Sequence, residues 1–198
     1  MKKGQVSLEF MFVFAIFLVL LVYSVNNITF TQNSQSVDIL RVQISLEAKS
    51  LSNSISNTVS QVYAQGPGSK ATTYITLKYL NDADFIAKAF NMSGTPQLLI
   101  GYQNGTYIAI LDSANKTISA NETSTAKKNL FWSRAMYAKS VTSYSPAASG
   151  TSLPGILINA GSLPTSIKII VEWNPDSTES WTLDASKGEL RININPGG

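Results

Sequence analysis

Cysteine and histidine are both absent from this 198-residue chain. Without cysteine there is no disulfide framework and no thiolate metal site, and without histidine the usual general base and the usual zinc ligand are missing. These absences remove most hydrolase chemistries, so we expect neither an enzyme nor a bound cofactor or metal. Charged residues make up only 14% of the chain, against about 25% in ordinary soluble domains. Serine, threonine and asparagine are abundant instead, which suits an extracellular surface, and the net charge of +3 does not indicate a nucleic-acid partner.

One long apolar run lies near the N-terminus, over residues 10–25. Val6 and Leu8 extend it to about 20 residues, the length that a helix needs to cross a bilayer. Lys2 and Lys3 precede the run, and the positive-inside rule then keeps the N-terminus in the cytoplasm and sends the remainder outside. A conventional signal peptidase site after the run would be poor. The pattern predicts a membrane-anchored precursor, with Glu9 as the only charge at the start of the span.

A second apolar pattern follows with the period of an α-helix. If the helix continues over residues 7–63 it is about 85 Å long, although residues 26–36 could bend or break it. A chain of this size offers such a helix no partner along its outer half, so the stripe predicts packing against other copies of the chain. Its members are Val37, Leu40, Ile44, Ala48, Leu51, Ile55, Val59 and Val62.

The remainder of the chain has the pattern of short strands separated by turn residues. Gly and Pro in the segment 64–70 end the helix, and Asn104-Gly105 between two apolar runs is a strong hairpin signal. A short helix is expected over 82–91, and long loops over much of 113–154. These features predict an α+β fold, with a long N-terminal helix and an all-β, sandwich-like head. The predicted strands are 72–80, 97–102, 106–111, 155–160, 166–173, 180–183 and 189–194.

Several short motifs in the head have two explanations. The segment 127–139 mixes bases with aromatics and could bind phosphate or an acidic sugar, but a surface strand with its aromatics in the core explains it as well. Acidic clusters near Asp82, Asp112 and Asp176 are expected to be solvated turns, because none has the ligand pattern of a calcium loop. Five sequons predict N-glycosylation, of which the one next to the apolar run is the weakest; their asparagines are Asn91, Asn104, Asn115, Asn121 and Asn27.

The first ten residues carry the most specific motif. Gln5, Ser7, Glu9 and Phe10 follow a basic residue and a glycine, and this Q-x-S-x-E-F pattern resembles the class III signal peptide of archaeal type IV pilins. The resemblance implies that a membrane aspartic prepilin peptidase cuts between Gly4 and Gln5. It also implies a surface filament built by an assembly ATPase and a polytopic platform protein. Archaellins share the plan, but their post-cleavage sequence is usually glycine-rich, which favours a pilus over a motility filament.

Together these patterns predict four segments: a signal peptide over 1–4, a long helix over 5–63, a linker over 64–70 and an extracellular head over 71–198. We expect a structural pilin subunit that forms a helical homo-oligomer and mediates adhesion. Gln5, Glu9 and Phe10 would take part in assembly, and Glu9 would pair with the new Gln5 amine of a neighbouring subunit. The alternatives are a signal-anchored monomeric surface protein that binds a glycan or a solute, and an archaellin-type subunit of a motility filament.

Overall fold

The computed structural model describes residues 2–124 and 126–197, and the side chains of all of these except 2–8 and 26–35. Helix α1 covers Lys2–Gln65. The chain divides into two compact units, Met1–Ile39 and Leu40–Gly198. The second unit contains all the strands, so the α+β class with a β-rich head is confirmed.

The first unit consists of the N-terminal part of α1. Its sequence from Phe10 to Val25 contains no glycine and no proline, so nothing interrupts the helical backbone hydrogen bonds. Every side chain from Glu9 to Val25 is exposed. In the part of the chain that the structure describes, no helix meets the combined criteria of length and mean hydropathy for a membrane span. The span expected over residues 6–25 therefore stays a prediction.

The second unit contains two β-sheets. One has five strands in the order β1-β7-β9-β8-β5, and the other has four in the order β4-β3-β2-β6. Neighbours run antiparallel except for β7 with β9 and β5 with β8, which are parallel. The strands are β1 Lys70–Thr76, β2 Pro96–Tyr102, β3 Gly105–Asp112, β4 Leu130–Arg134, β5 Tyr144–Ser145, β6 Ile156–Asn159, β7 Ser166–Glu172, β8 Ser180–Asp184 and β9 Glu189–Asn193. Helix α2 covers Ala83–Phe90, and a single 3-10 turn covers Ala160–Ser162.

The apolar stripe of α1 lies inside this unit. Its residues from Ile44 to Val62 are fully buried and belong to the same core cluster as inward-facing residues of both sheets. The prediction that this part of the stripe packs against other copies of the chain is therefore wrong. The physical reason is that residues 40–65 share one compact unit with the strands, so the head itself covers the apolar face.

Buried serines on α1 add polar contacts to this packing. Ser52 Oγ donates to the carbonyl of Thr106 at 2.8 Å, and Ser56 Oγ donates to the carbonyl of Ser133 at 2.9 Å. Ser56 Oγ also accepts a bond from Thr106 N at 3.2 Å. These bonds provide partners within the core for main-chain groups of β3 and β4. They attach the helix to the start of β3 and to the strand paired with it.

The hairpin between β2 and β3 forms at Asn104-Gly105, as the sequence predicts. Asn104 has φ +55° and Gly105 has φ +147°, conformations that asparagine and glycine adopt most readily. A Cβ atom on Gly105 would lie 2.3 Å from the carbonyl oxygen of Ser133. Glycine is thus required here both by the turn and by the close approach of β4.

Most other predicted elements are confirmed with small shifts of their ends. Helix α2 forms within the expected segment and is capped by Asp82, whose carboxylate accepts from Phe85 N at 3.0 Å. The segment expected to hold long loops contains β4, which agrees with the surface-strand explanation of residues 127–139, and β5, which the sequence patterns did not predict. The expected linker makes strand-like contacts at its end, where Gly68 N donates to the carbonyl of Trp173 at 2.8 Å.

Candidate functional site: the N-terminal processing and assembly segment

The predicted cleavage site lies in the first turns of α1. Gly4 and Gln5 have helical backbone, and the side chains of Gln5 and Ser7 lie outside the described residues. Glu9 and Phe10 are exposed, with Phe10 exposing 69% of its surface. The Phe10 ring stacks on Phe14 one turn later, with centroids 6.4 Å apart. The motif therefore ends in an exposed carboxylate, and the next residue in the sequence begins an exposed aromatic pair.

From Phe10 to Val25, helix α1 carries large apolar side chains on every face. They are exposed all round the helix, and none belongs to the core of the second unit. A helix that is apolar all round is typical of a lipid-embedded or fully buried environment, because so much apolar surface is unfavourable in water. The exposed side chains of this segment therefore favour burial against another apolar surface.

The four sequons of the head differ in accessibility. The asparagines are all exposed, but Thr106, which completes the sequon of Asn104, is fully buried. Thr123, which completes the sequon of Asn121, is exposed together with its asparagine. Asn91 is the left-handed C-cap of α2, and Asn115 accepts a hydrogen bond from the Thr117 hydroxyl within its own sequon. The side chain of Asn27 lies outside the described residues, and glycosylation at all five sites stays a prediction.

Asp112, which lies in one of the acidic clusters, has structural partners for its carboxylate. Asp112 accepts from the backbone N–H groups of Ser93, Gly94 and Ala114, each at 2.9 Å. These bonds, led by the one from Ala114, hold the pKa of Asp112 below its usual value. Within residues 2–124 and 126–197, no group of three or more acidic residues is placed to hold a metal ion.

The segment 127–139 has features of both explanations that its sequence left open, because some of its aromatic side chains are buried and one is exposed. Phe131 and Tyr137 join the core, at 7% and 3% exposure. Trp132 points outward with 40% exposure, because side chains alternate across β4. Sequence reasoning missed that Arg41 and Lys49 of α1 line one groove together with Trp132. Their spacing of eight residues, two i,i+4 steps on one helix face, is the signal that could have indicated a shared surface.

Sequence reasoning also missed the role of Glu47. Its carboxylate accepts from the backbone N–H groups of Lys78, Tyr79 and Leu80, at 2.8 Å for Tyr79 and 2.7 Å for Leu80. Three donors converge on one half-buried side chain of α1. Glu47 therefore ties the helix to the turn between β1 and α2.

Comparison with known proteins yields one match. The model of the class III signal peptide family matches residues 2–28, which include all four motif positions and the apolar run. No curated protein and no solved structure matches the chain. The family match therefore concerns the N-terminal segment, and the head is described by its own structure.

The match identifies a class III signal peptide at residues 2–28, and such a signal indicates an exported protein that is type IV pilin-like or archaellin-like. More particularly, it supports a type IV pilin-like prepilin, as the Q-x-S-x-E-F motif predicted. Such a signal implies a membrane-anchored precursor, processing by a prepilin peptidase, handling by pilus assembly machinery and secretion to the cell surface. The family is one of structural pilins, which favours a structural role over an enzymatic one.

Proposed function

We propose that this protein is a structural subunit of an archaeal type IV pilus-like surface filament. The subunit polymerises through its N-terminal helix after cleavage between Gly4 and Gln5, and its head mediates adhesion. One observation carries the proposal: the class III signal is followed at once by a helix segment whose large apolar side chains are all exposed.

The exposure of this segment supports burial by another molecule. Met11, Val19 and Tyr23 expose 70%, 69% and 66% of their surfaces. Removing apolar surface from water contributes roughly 25 cal/mol per Å², so a segment of this length gains greatly from any apolar surroundings. Lipid provides these surroundings before assembly, and the helices of neighbouring subunits provide them in a filament.

The packing of the head reduces the number of residues that are available for contacts between subunits. The stripe from Ile44 to Val62 is already buried in the subunit's own core. Contacts between copies therefore centre on residues 10–25, and a filament need not disturb the head. This arrangement leaves the surface of the head free to vary with whatever it binds.

Glu9 has a specific part in this proposal. An unpaired carboxylate among apolar helices is costly, by about 3 kcal/mol at the centre of a bilayer and less near its surface. Cleavage after Gly4 creates a charged amine on Gln5, four residues from Glu9. We propose that Glu9 pairs with the Gln5 amine of a neighbouring subunit and so sets the axial register of assembly.

The test measures filaments sheared from cells that express either the full chain or a variant. Glu9→Gln removes the negative charge, and we expect about a tenfold or greater loss of filaments by electron microscopy, as for removing a dominant contact. Glu172→Gln is the matched control, because Glu172 pairs with Lys70 on the surface of the head and is 45% exposed. Its filament yield should equal that of the unaltered chain.

Three results would count against parts of this proposal. Normal filaments from Glu9→Gln subunits would exclude the proposed pairing. A wild-type chain that stays in the membrane as a monomer with its lysines intact would instead support a signal-anchored surface protein. Loss of swimming, rather than of attachment, when the gene is deleted would favour a motility filament.

A further inference from the structure

Two grooves on the second unit meet at the same pair of exposed side chains, Lys128 and Trp132. The first has a volume of about 480 Å³ and lies between Arg41 and Lys49 of α1 and the segment before β4. The second has a volume of about 560 Å³ and extends to Gln103 and Asn104 at the tip of the β2–β3 hairpin. The two grooves therefore form one continuous surface, which we call the Trp132 groove.

The charge of the Trp132 groove is mainly positive. Arg41, Lys49 and Lys128 line it, against a single carboxylate, Glu122. Glu122 forms ion pairs with Lys127 at 3.0 Å and with Arg41 at 4.0 Å. Lys49 uses one of its three N–H donors on the carbonyl of Trp132 and keeps the others. Among the described residues, no carboxylate forms an ion pair with Lys128. The groove therefore favours a ligand with negative charge.

The aromatic side chain at the centre gives the groove a flat apolar surface. The guanidinium of Arg134 lies 5.8 Å from the centroid of the Trp132 ring, which holds the indole on the outside of β4. Sugar rings stack their C–H faces on such exposed indoles, while their hydroxyl groups need hydrogen-bonding side chains at the edges. The exposed amides of Gln103 and Asn104 provide donors and acceptors at the far end.

We propose that the Trp132 groove binds an acidic polysaccharide whose sugar units carry carboxylates. A sugar ring stacks on Trp132, carboxylates pair with Lys128 and Lys49, and hydroxyl groups bond the hairpin amides. This inference rests on the proposed function, because it names the class of ligand through which the head would adhere. An acidic peptide would use the cations but leave the hairpin amides and the flat face of the indole with less to recognise.

The sequon at the rim of the groove does not argue against this site. Asn104 is a lining residue, and a glycan attached to it would fill the second groove. Its sequon requires Thr106, which is fully buried and whose backbone bonds to Ser52 and Ser56 of α1. Modification of a surface loop needs an accessible sequon, so we expect the folded head to leave Asn104 unmodified and the groove open.

The test titrates the full chain, held in detergent micelles, with hexagalacturonate in a calorimeter. We expect binding that weakens as salt rises from about 50 mM to about 300 mM, because screening reduces the attraction between exposed charges. Lys128→Gln should raise Kd about threefold, the size of one exposed ion pair. Trp132→Ala should raise it about tenfold, as for a central aromatic contact. Neutral maltohexaose should bind at least about tenfold more weakly.

Matched control variants lie on helix α2. Phe85 exposes 42% of its surface, close to the value for Trp132, and Lys88 is an exposed lysine three residues later. Neither lines the Trp132 groove. Phe85→Ala and Lys88→Gln should therefore leave Kd unchanged. Lys128 is exposed, so Lys128→Gln keeps the test valid even if Trp132→Ala disturbs β4.

Several results would overturn the inference. One is the absence of binding up to about 10 mM hexagalacturonate. Others are equal binding of a hexaglutamate peptide, competition by inorganic phosphate at matched ionic strength, or equal losses from Lys88→Gln and Lys128→Gln. The micelle assay does not require assembly, so its failure is distinguishable from failure of the filament proposal. Filaments that do not bind the saccharide would exclude only this site, and a binding subunit that never assembles would exclude only the filament.

Discussion

Replacing Glu47 with glutamine should destabilise the head measurably, although Glu47 lies far from the signal segment in the sequence. Its carboxylate accepts three backbone N–H bonds from residues 78–80, and the last of these donors belongs to the fully buried Leu80. Glutamine keeps the shape of the side chain but replaces one acceptor oxygen with an NH₂ donor. If the amide oxygen takes the place of Oε2, it still accepts from Tyr79 N and Leu80 N. The NH₂ group then faces Lys78 N, and that hydrogen bond is lost.

The size of the effect follows from these contacts. Hydrogen bonds to a charged group contribute about 1.5 to 3 kcal/mol each and neutral ones about 0.5 to 1.5 kcal/mol. One bond is lost and two become neutral, while water can reach the half-buried site and compensate in part. We expect a loss of about 2 kcal/mol in the free energy of unfolding, which lowers Tm by about 4 to 8 °C for a chain of this size.

The assay is thermal or urea unfolding of the full chain in micelles, followed by tryptophan fluorescence. Trp181 is fully buried in the core of the head, so its emission reports the unfolding of that unit. Glu172→Gln is the control, because its partner Lys70 lies 3.2 Å away on the surface, where a pair contributes less than about 1 kcal/mol. Equal stability of Glu47→Gln and the control would refute the account of how α1 is tied to the turn.

Three further predictions concern the same unit. Leu51→Ala should destabilise the unassembled subunit by about 2 to 5 kcal/mol, since Leu51 is fully buried in the head core; an effect seen only in filaments would restore the interpretation that this stripe packs between copies. Burial raises the pKa of Tyr144 to about 12. Folding then favours the neutral phenol, so stability is complete below the unfolded pKa of about 10 and falls as pH rises from there toward 12. Tyr144→Phe should reduce that alkaline loss in urea titrations at several pH values. Glycopeptide mass spectrometry should find Asn121 modified and Asn104 unmodified, because Thr106 is buried whereas the Asn121 sequon is exposed; occupancy at Asn104 would contradict this.

Local signals in the sequence were sufficient for part of the fold. The Asn104-Gly105 turn needs only two residues that tolerate positive φ, and α2 needs only the capping side chain of Asp82. Both are determined within a few residues, so their patterns predict them. Strand β5 was not predicted, because it has only two residues and pairs in parallel with β8, which lies far along the chain.

The apolar stripe of α1 shows a different limit of sequence reasoning. A period of 3.6 residues indicates that one face of a helix is covered, but it does not identify what covers it. From the sequence alone, Ile55 and Val59 could lie equally well in a filament core or in the core of the head. Only the structure assigns them to the head. The same limit applies to the Trp132 groove, where Lys49 and Trp132 meet across 83 residues of sequence.

The processing motif, by contrast, does not depend on residues that are far apart in the sequence. Its residues lie next to one another in the sequence. The family match over residues 2–28 agrees with the class III signal peptide that the motif predicted. The proposed assembly depends on contacts between copies, and these are a property of many chains together. The exposed segment from Phe10 to Val25 is the part of the subunit that bears most directly on this question.

The central claim is that the chain is cut after Gly4 and then built into a surface filament. N-terminal mass spectrometry on filaments sheared from the cell surface tests it most directly. The account predicts a subunit whose first residue is Gln5, present in the filament fraction and still carrying the whole apolar segment. A chain that keeps Met1 or Lys2, or that is missing from the filament fraction while present in the membrane, would contradict it.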